Sequence, residues 1–371
     1  MIRWPLFLPD LTLWYEWHDE HGTLPAPWAG CSLPAICRDL GVPAWAPWKP
    51  WKVKLPGVEV RDERGAEERV LSWVTARGTL TSRWTLGPDG DWWRSEYPVK
   101  ASADLEAACL VAEARTYTLR EGVQPDDDGL IHAVELPMRP WSDLFHSFLG
   151  WSEGLLLFME EEDRLRVIVQ TLEEKLADLE REVAALAPDA VLLPDNLDGQ
   201  FIPPAAFEQH LAPSYARAAS TFRASGTAIV VHAGGPASRL LAGLAAAGVD
   251  CVEGICGPPQ GDTPLADARK AAGKGMTLWG GIPQDAVLAS CADSDFRSLA
   301  ARAFETAEQD PDVVAGVADR VPPQALPERL TELARMAREA RGPRRHGQAG
   351  PGRGPGAAAG DGHQGGPLRL T

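Results

Sequence analysis

Five short polar clusters follow apolar runs in the second half of the chain. Pro194-Asp-Asn-Leu-Asp198 follows Ala190–Leu193, and His232-Ala-Gly-Gly235 follows Ala228–Val231. Glu253-Gly-Ile-Cys256 follows Asp250–Val252, and Trp279-Gly-Gly281 follows Met276–Leu278. Gly316-Val-Ala-Asp-Arg320 closes the run that begins at Val313. Carboxylates, an imidazole and a thiol are the groups of acid–base, metal and nucleophilic chemistry. Each also has a plain use. Asp198 can cap a helix, His232 can be a satisfied core histidine, and Cys256 can be a small hydrophobe. Glu253 is harder to excuse, because glutamate is seldom buried without a partner. Gly234-Gly235 and Gly280-Gly281 suit tight turns and close approach of a ligand. The argument for a site comes from the five clusters together.

The elements that must position these groups follow from Ala101 onward. Ala103–Leu119 is a predicted helix, Leu130–Leu136 a strand, and Glu160–Leu186 a helix rich in i,i+4 charge pairs. The next strands are Ala190–Leu193, Ala228–His232, Asp250–Gly254, Met276–Trp279 and Val313–Gly316. Helices are expected over Ala205–Ala224, Ala237–Ala247, Leu265–Ala272, Asp285–Gln309 (as a pair) and Gln324–Arg341. Six apolar strands, each followed by a helix, imply parallel βαβ units. The α/β fold expected is a (β/α)8 TIM barrel, residues 101–341, with the two missing strands in the N-terminal region. All five clusters then share one mouth at the carboxyl ends of the strands. An open doubly wound sheet is the alternative, but no G-x-G-x-x-G follows a strand.

Residues 1–100 form an N-terminal elaboration. Of the 14 Trp, 11 lie between Trp4 and Trp93. Leu11–Leu24 reads as a short helix and Pro43–Pro56 as a packed irregular loop. Val58–Val60, Arg69–Thr75, Thr79–Leu86 and Trp92–Val99 read as antiparallel strands, with a turn at Gly87–Gly90. The tryptophans either pack the barrel bottom or a dimer, or form an aromatic lid over the mouth, Trp48 and Trp51 included. Residues 342–371 hold 10 Gly and 4 Pro and no aromatic residue, which reads as a disordered tail.

The 371 residues carry a net charge of -16. That acidity argues against nucleic acid or an anionic membrane as partner. No targeting segment and no run of roughly 18–20 apolar residues is visible. Six scattered Cys without a tight framework fit a reducing cytoplasm.

From about Val99 to Ala340, and best over Ala190–Gln284, the chain resembles the superfamily of uroporphyrinogen decarboxylases and the related zinc and corrinoid methyltransferases. The resemblance is carried by Leu192-Leu-Pro-Asp-Asn-Leu-Asp198, Ile202-Pro-Pro-Ala-Ala-Phe207, Pro213-Ser-Tyr215 and Val230-Val-His-Ala-Gly-Gly235. Ala247-Gly-Val-Asp-Cys-Val-Glu-Gly-Ile255, Pro258-Pro-Gln-Gly-Asp262 and Leu278-Trp-Gly-Gly-Ile282 complete it. It implies a (β/α)8 barrel. In the zinc methyltransferases a His-x-Cys pair, a Glu on the next strand and a late Cys hold zinc. His232 and Glu253 match two of these, Gly234 stands where the Cys belongs, and the late Cys falls at Ala318 or Asp319. Cys256 could replace the missing thiolate, and Asp195 or Asp262 could add an oxygen. The decarboxylases carry an R-Q-A-G-R-Y motif and a late G-H-G-I. Here the corresponding places read Trp14-Tyr-Glu-Trp-His18 with Arg38, and Gly316-Val-Ala-Asp319.

The resemblance therefore implies first a metal-dependent methyl (one-carbon) transferase. Zinc would sit on His232, Glu253 and Cys256, with Asp195, Asp198 and His232 catalytic and Asn196, Trp279, Asp319 and Arg320 on a small-molecule substrate. The acceptor would be a corrinoid, supplied by a partner protein, or a thiol; a homodimer is compatible. The alternatives are a cofactor-free uroporphyrinogen decarboxylase of tetrapyrrole biosynthesis, with Arg38 or Arg320 clamping carboxylates, and a non-catalytic ligand-binding paralogue.

Overall fold

The computed structural model describes residues 2–87, 92–120 and 130–340. The tail expected from Gly342, and most of the turn expected at Gly87–Gly90, lie outside the described residues. A mixed α/β fold is built on six parallel strands: β1 (Ala133–Glu135), β2 (Ala190–Leu193), β3 (Ala228–His232), β4 (Cys251–Ile255), β5 (Thr277–Ile282) and β6 (Val313–Val317). They lie side by side in chain order. At the β6 edge, Phe7 makes an isolated parallel bridge to Ala315, and at the β1 edge Trp48 makes one to Val134.

Side chains alternate along each strand. On β3, Ile229 and Val231 join the larger core under the helices, while Ala228 and Val230 join a separate cluster on the other face. That second cluster draws Leu8, Trp45, Ala133, Ala190, Cys251, Trp279 and Val314 from the neighbouring segments. Small residues make room for two indoles. The rings of Trp45 and Trp279 meet edge to face with centroids 5.1 Å apart. Helix Glu162–Ala185 shows how the outer layer holds on. Leu165, Ile168, Leu172, Leu176, Leu179 and Val183 are buried at helical spacing, and Glu162 and Asp163 complement the dipole of its first turn. Each such buried side chain contributes about 2 kcal/mol.

The N-terminal strands form an antiparallel meander of Glu59–Arg64, Glu68–Thr75, Gly78–Leu86 and Trp92–Glu96. Two expectations need correction. The helix expected over Ala103–Leu119 ends at Ala114, and Thr116–Leu119 is a strand paired with Trp51–Lys54. The Thr-Tyr-Thr run favours the extended backbone. Pro43–Pro56 is correspondingly no mere loop, since Ala44–Trp45 and Trp51–Lys54 both pair. Of the 11 N-terminal tryptophans, Trp14, Trp28 and Trp45 are buried, whereas Trp17 and Trp93 are exposed. Trp51 donates its indole N–H to Glu135 O at the end of β1, 2.7 Å.

Candidate functional site

The site follows from alternation plus register. Val230 and His232 share a face of β3, as do Cys251 and Glu253 on β4, and the ladder sets His232 directly beside Glu253. Their side chains therefore meet above the inner cluster, and His232 Nδ1 lies 2.6 Å from Glu253 Oε2. His232 Nε2 points toward Asp319, 3.9 Å away, and Asp319 lies 3.8 Å from Arg320 Nε. Asp10 arrives from the Phe7 edge segment, two residues past the inward Leu8.

Burial dominates the electrostatics. It pushes the Glu253 carboxyl up to about 7, opposed by His232 and reinforced by the charges of Asp319 and Asp10. Burial alone would lower His232, but the charge and hydrogen bond of Glu253 outweigh it and leave the imidazole raised. The two groups therefore titrate as a coupled pair, each shifted upward. Asp10 is also pushed by burial, up to about 6, against hydrogen bonds from the Thr12 hydroxyl and the Thr12 N–H, the latter 3.0 Å. A carboxyl whose folded pKa is raised destabilises the fold once it ionises. Wild-type stability should fall as pH rises from about 4 through about 6 on its account. Asp10→Asn keeps the acceptor for Thr12 and removes the charge. It should stabilise by about 1–3 kcal/mol at pH 8 and by little at pH 4, read by urea unfolding at both.

The loops above the strands are stitched together. Leu197 N–H donates to His232 O (3.2 Å) and Gly234 N–H to Leu197 O (3.1 Å). Gln260 joins three loops: its amide donates to Ala318 O, 3.1 Å, and its oxygen accepts from Gln284 N, 2.8 Å. Val321 N–H donates to Asp10 O, 2.8 Å. A cleft of about 440 Å³ opens on this face among Gly199, Gln200, Pro236, Arg239 and Asp262. Gly254 is required where it stands. Its φ is +93°, and a Cβ there would lie 2.2 Å from Ala233 O. Gly254→Ala should cost about 2–4 kcal/mol in urea unfolding.

Of the residues expected at the mouth, the structure assembles His232, Glu253, Asp319 and Arg320, and leaves the Asn196 amide exposed beside Gly234. Asp198 plays the plain part, accepting from Gln200 N, 2.7 Å, in a turn. Asp195 does not face the mouth. It lies two residues past the end of β2 and is fully buried, accepting from Tyr215 OH and from Arg139 N at 2.5 Å. Trp279 is fully buried too, donating to Leu8 O, 2.8 Å, so it offers no surface to a substrate. Asp10, Gln260 and Arg139 were not anticipated. No strand pattern announces them; Asp10 follows Leu6-Phe-Leu8, but Pro5 and Pro9 break that run.

The zinc set does not fit. A Cβ at Gly234, where the family thiolate belongs, would lie 1.6 Å from Asn196 Oδ1, so that space holds an amide. Cys256 is buried, and its thiol is pushed up to about 11 by burial, unlike a ready thiolate. Among the described residues no group of three or more His, Cys, Asp or Glu is placed to hold a metal ion. We therefore derive no step through a metal.

Residues 143–340 match the family described as uroporphyrinogen decarboxylase (URO-D). A methyltransferase from Methanosarcina mazei is similar in structure, with a TM-score of 0.55 at 15% sequence identity, covering 91% of this chain and 94% of that one. A likeness at that identity is one of fold. No curated protein matches the chain.

Proposed function

The chain belongs to the uroporphyrinogen decarboxylase family, and from that premise we propose an enzyme that moves a proton and a one-carbon group at the His232–Glu253 pair. The observation that carries this is the 2.6 Å contact at Nδ1, which leaves Nε2 toward the mouth. Methyl transfer to a thiol uses it directly. His232 Nε2 takes the thiol proton while Glu253 holds Nδ1–H and stabilises the imidazolium. The sulfur then forms a bond to the methyl carbon as the bond to the donor breaks, and the electron pair leaves with the donor. A methyl corrinoid on a partner protein would supply the electrophilic methyl group. Asn196, Asp319 and Arg320 contact the substrate, and the exposed Arg239 offers a cation for an anionic end.

Decarboxylation is the second reading, favoured by the upward shift that Glu253 gives the imidazole, which suits it to donate a proton. His232 would then protonate the carbon that loses carbon dioxide. One experiment separates the readings. Purified protein is given methylcobalamin with a small thiol, and separately uroporphyrinogen without oxygen. Loss of methylcorrinoid absorbance dependent on His232 supports methyl transfer. Carboxyl loss seen by chromatography supports the second reading. Corrinoid binding without turnover of either would leave a ligand-binding paralogue and sink both.

The finer fold reading is also a proposal: the sheet closes as a (β/α)8 barrel with the Phe7 and Trp48 segments as its remaining staves. It is supported by the parallel bridges at both edges and by an inner cluster drawing on eight segments. The rest of residues 1–100 is its elaboration. No helix among the described residues is long and apolar enough to cross a membrane. All six cysteines are free, which supports a cytoplasmic setting.

A further inference from the structure

The segment that follows β6 carries Asp319 and Arg320 to the mouth, and its backbone is held at four points. Ala318 N–H donates to Ile282 O, 2.7 Å, and Val321 N–H donates to Asp10 O, 2.8 Å. Two side chains hold the carbonyls on either side of Asp319. Gln260, from the loop after β4, donates its amide to Ala318 O, 3.1 Å. Gln284, from the turn after β5, donates its amide to Arg320 O, 2.7 Å. The two glutamines are themselves joined, since Gln260 Oε1 accepts from Gln284 N, 2.8 Å. Every partner is a backbone group of fixed polarity, so the donor end of each amide is set. Between the two clamped carbonyls Asp319 has φ +65°, in the left-handed region that the surrounding structure must hold.

That backbone conformation sets what faces the imidazole. Asp319 Oδ1 stands 3.9 Å from His232 Nε2, while Glu253 holds Nδ1. The gap at Nε2 is too long for a direct hydrogen bond, so Nε2 stays available to a reacting group and Asp319 acts on it through its charge. The charged groups around the ring are Glu253 from β4 and Asp319 and Arg320 from this segment; Asp10, on the edge segment, adds its charge beside Glu253. After burial and Glu253, Asp319 raises the imidazole and Arg320 lowers it less. We propose that Gln260 and Gln284 are positioning residues: together they clamp the Ala318–Arg320 backbone so that Asp319 faces His232 Nε2 and walls the space where the proton is exchanged. They act through Asp319 and not on the substrate. The inference rests on the reading of His232 as the acid–base group.

The test is a pH titration of His232 by NMR in the full chain, its signal assigned as the one lost in His232→Ala. Methionine keeps the length of glutamine and removes its hydrogen bonds without adding charge. In Gln260→Met with Gln284→Met the His232 pKa should fall, in the same direction as in Asp319→Asn. Added to Asp319→Asn, the two methionines should cause no further fall, because a clamp that works only through Asp319 then has nothing left to position. On a substrate that turns over, the methionine pair should lower kcat about tenfold alone and less than about twofold in the Asp319→Asn background. Each single methionine variant should show part of the shift and stands in for the pair if the pair does not fold. A folded variant whose His232 titration is unmoved would overturn the proposal, and so would an equal fall with Asp319→Asn already present. The titration needs no substrate. Expected shifts without any turnover would therefore sink the acid–base reading of His232 and leave the clamp on Asp319 standing.

Discussion

His232→Ala is expected to lower kcat/KM by about 10²–10⁴-fold on whichever substrate turns over, with little change in stability at pH 6. The size is that of losing one positioned acid–base group. Stability survives because the side chain left behind, Glu253, is buried, and without His232 to oppose burial its carboxyl shifts further up and takes a proton rather than staying charged. Above pH 8 that relief fades, and the variant should unfold at lower urea. Glu253→Gln tests the same pair from the other side. The glutamate charge is what raises the imidazole, so removing it must lower the His232 pKa. The limb of the pH profile that reports deprotonation of the base should therefore move to lower pH, while kcat falls because the imidazolium loses its counter-charge. A profile that does not move would mean that Glu253 is only packing.

Arg139→Ala should cost about 3–5 kcal/mol in urea unfolding. Arg139 is fully buried and pairs with Glu180, which is 1% exposed, while its own N–H holds Asp195. Truncation leaves a buried carboxylate without its cation. Replacing the pair together, Arg139→Met with Glu180→Leu, should recover most of the loss, since neither charge then needs a partner. Asp195→Asn belongs to the same network and decides its role. Asparagine still offers an oxygen to Arg139 N–H, and its other end can meet the Tyr215 hydroxyl. Stability should drop by about 1–2 kcal/mol and kcat should stay within about twofold. A folded Asp195→Asn protein with kcat down a hundredfold would show that Asp195 reaches the reaction after all.

These two experiments bear on what was legible beforehand. β2 and the helix Leu265–Ala272 have the boundaries their residues predict, because apolar runs ended by Pro or Gly leave little choice. His232 and Glu253 were also legible as strand-end residues. Asp195 was not legible, because it lies past the end of β2, where alternation no longer fixes direction, and only Tyr215 and the Arg139 backbone draw it into the fold. Trp279 was misread for another reason. It does point inward, but with Trp45 it fills space left by Ala133, Ala190 and Ala228 instead of reaching the mouth. Asp10 was missed because its segment makes one bridge and is broken by Pro5 and Pro9, so no strand pattern announces it.

By itself the sequence determined which polar residues close each parallel strand, because hydrophobic runs, alternation and turn residues are local properties of the chain. Only the tertiary structure decided which of them meet. Register across strands set His232 against Glu253, the edge segment carried in Asp10 from more than two hundred residues away, and Asn196 took the space beside Gly234 that a metal thiolate would need. Burial, which no single segment contains, then raised the Asp10 and Glu253 carboxyls toward neutral pH.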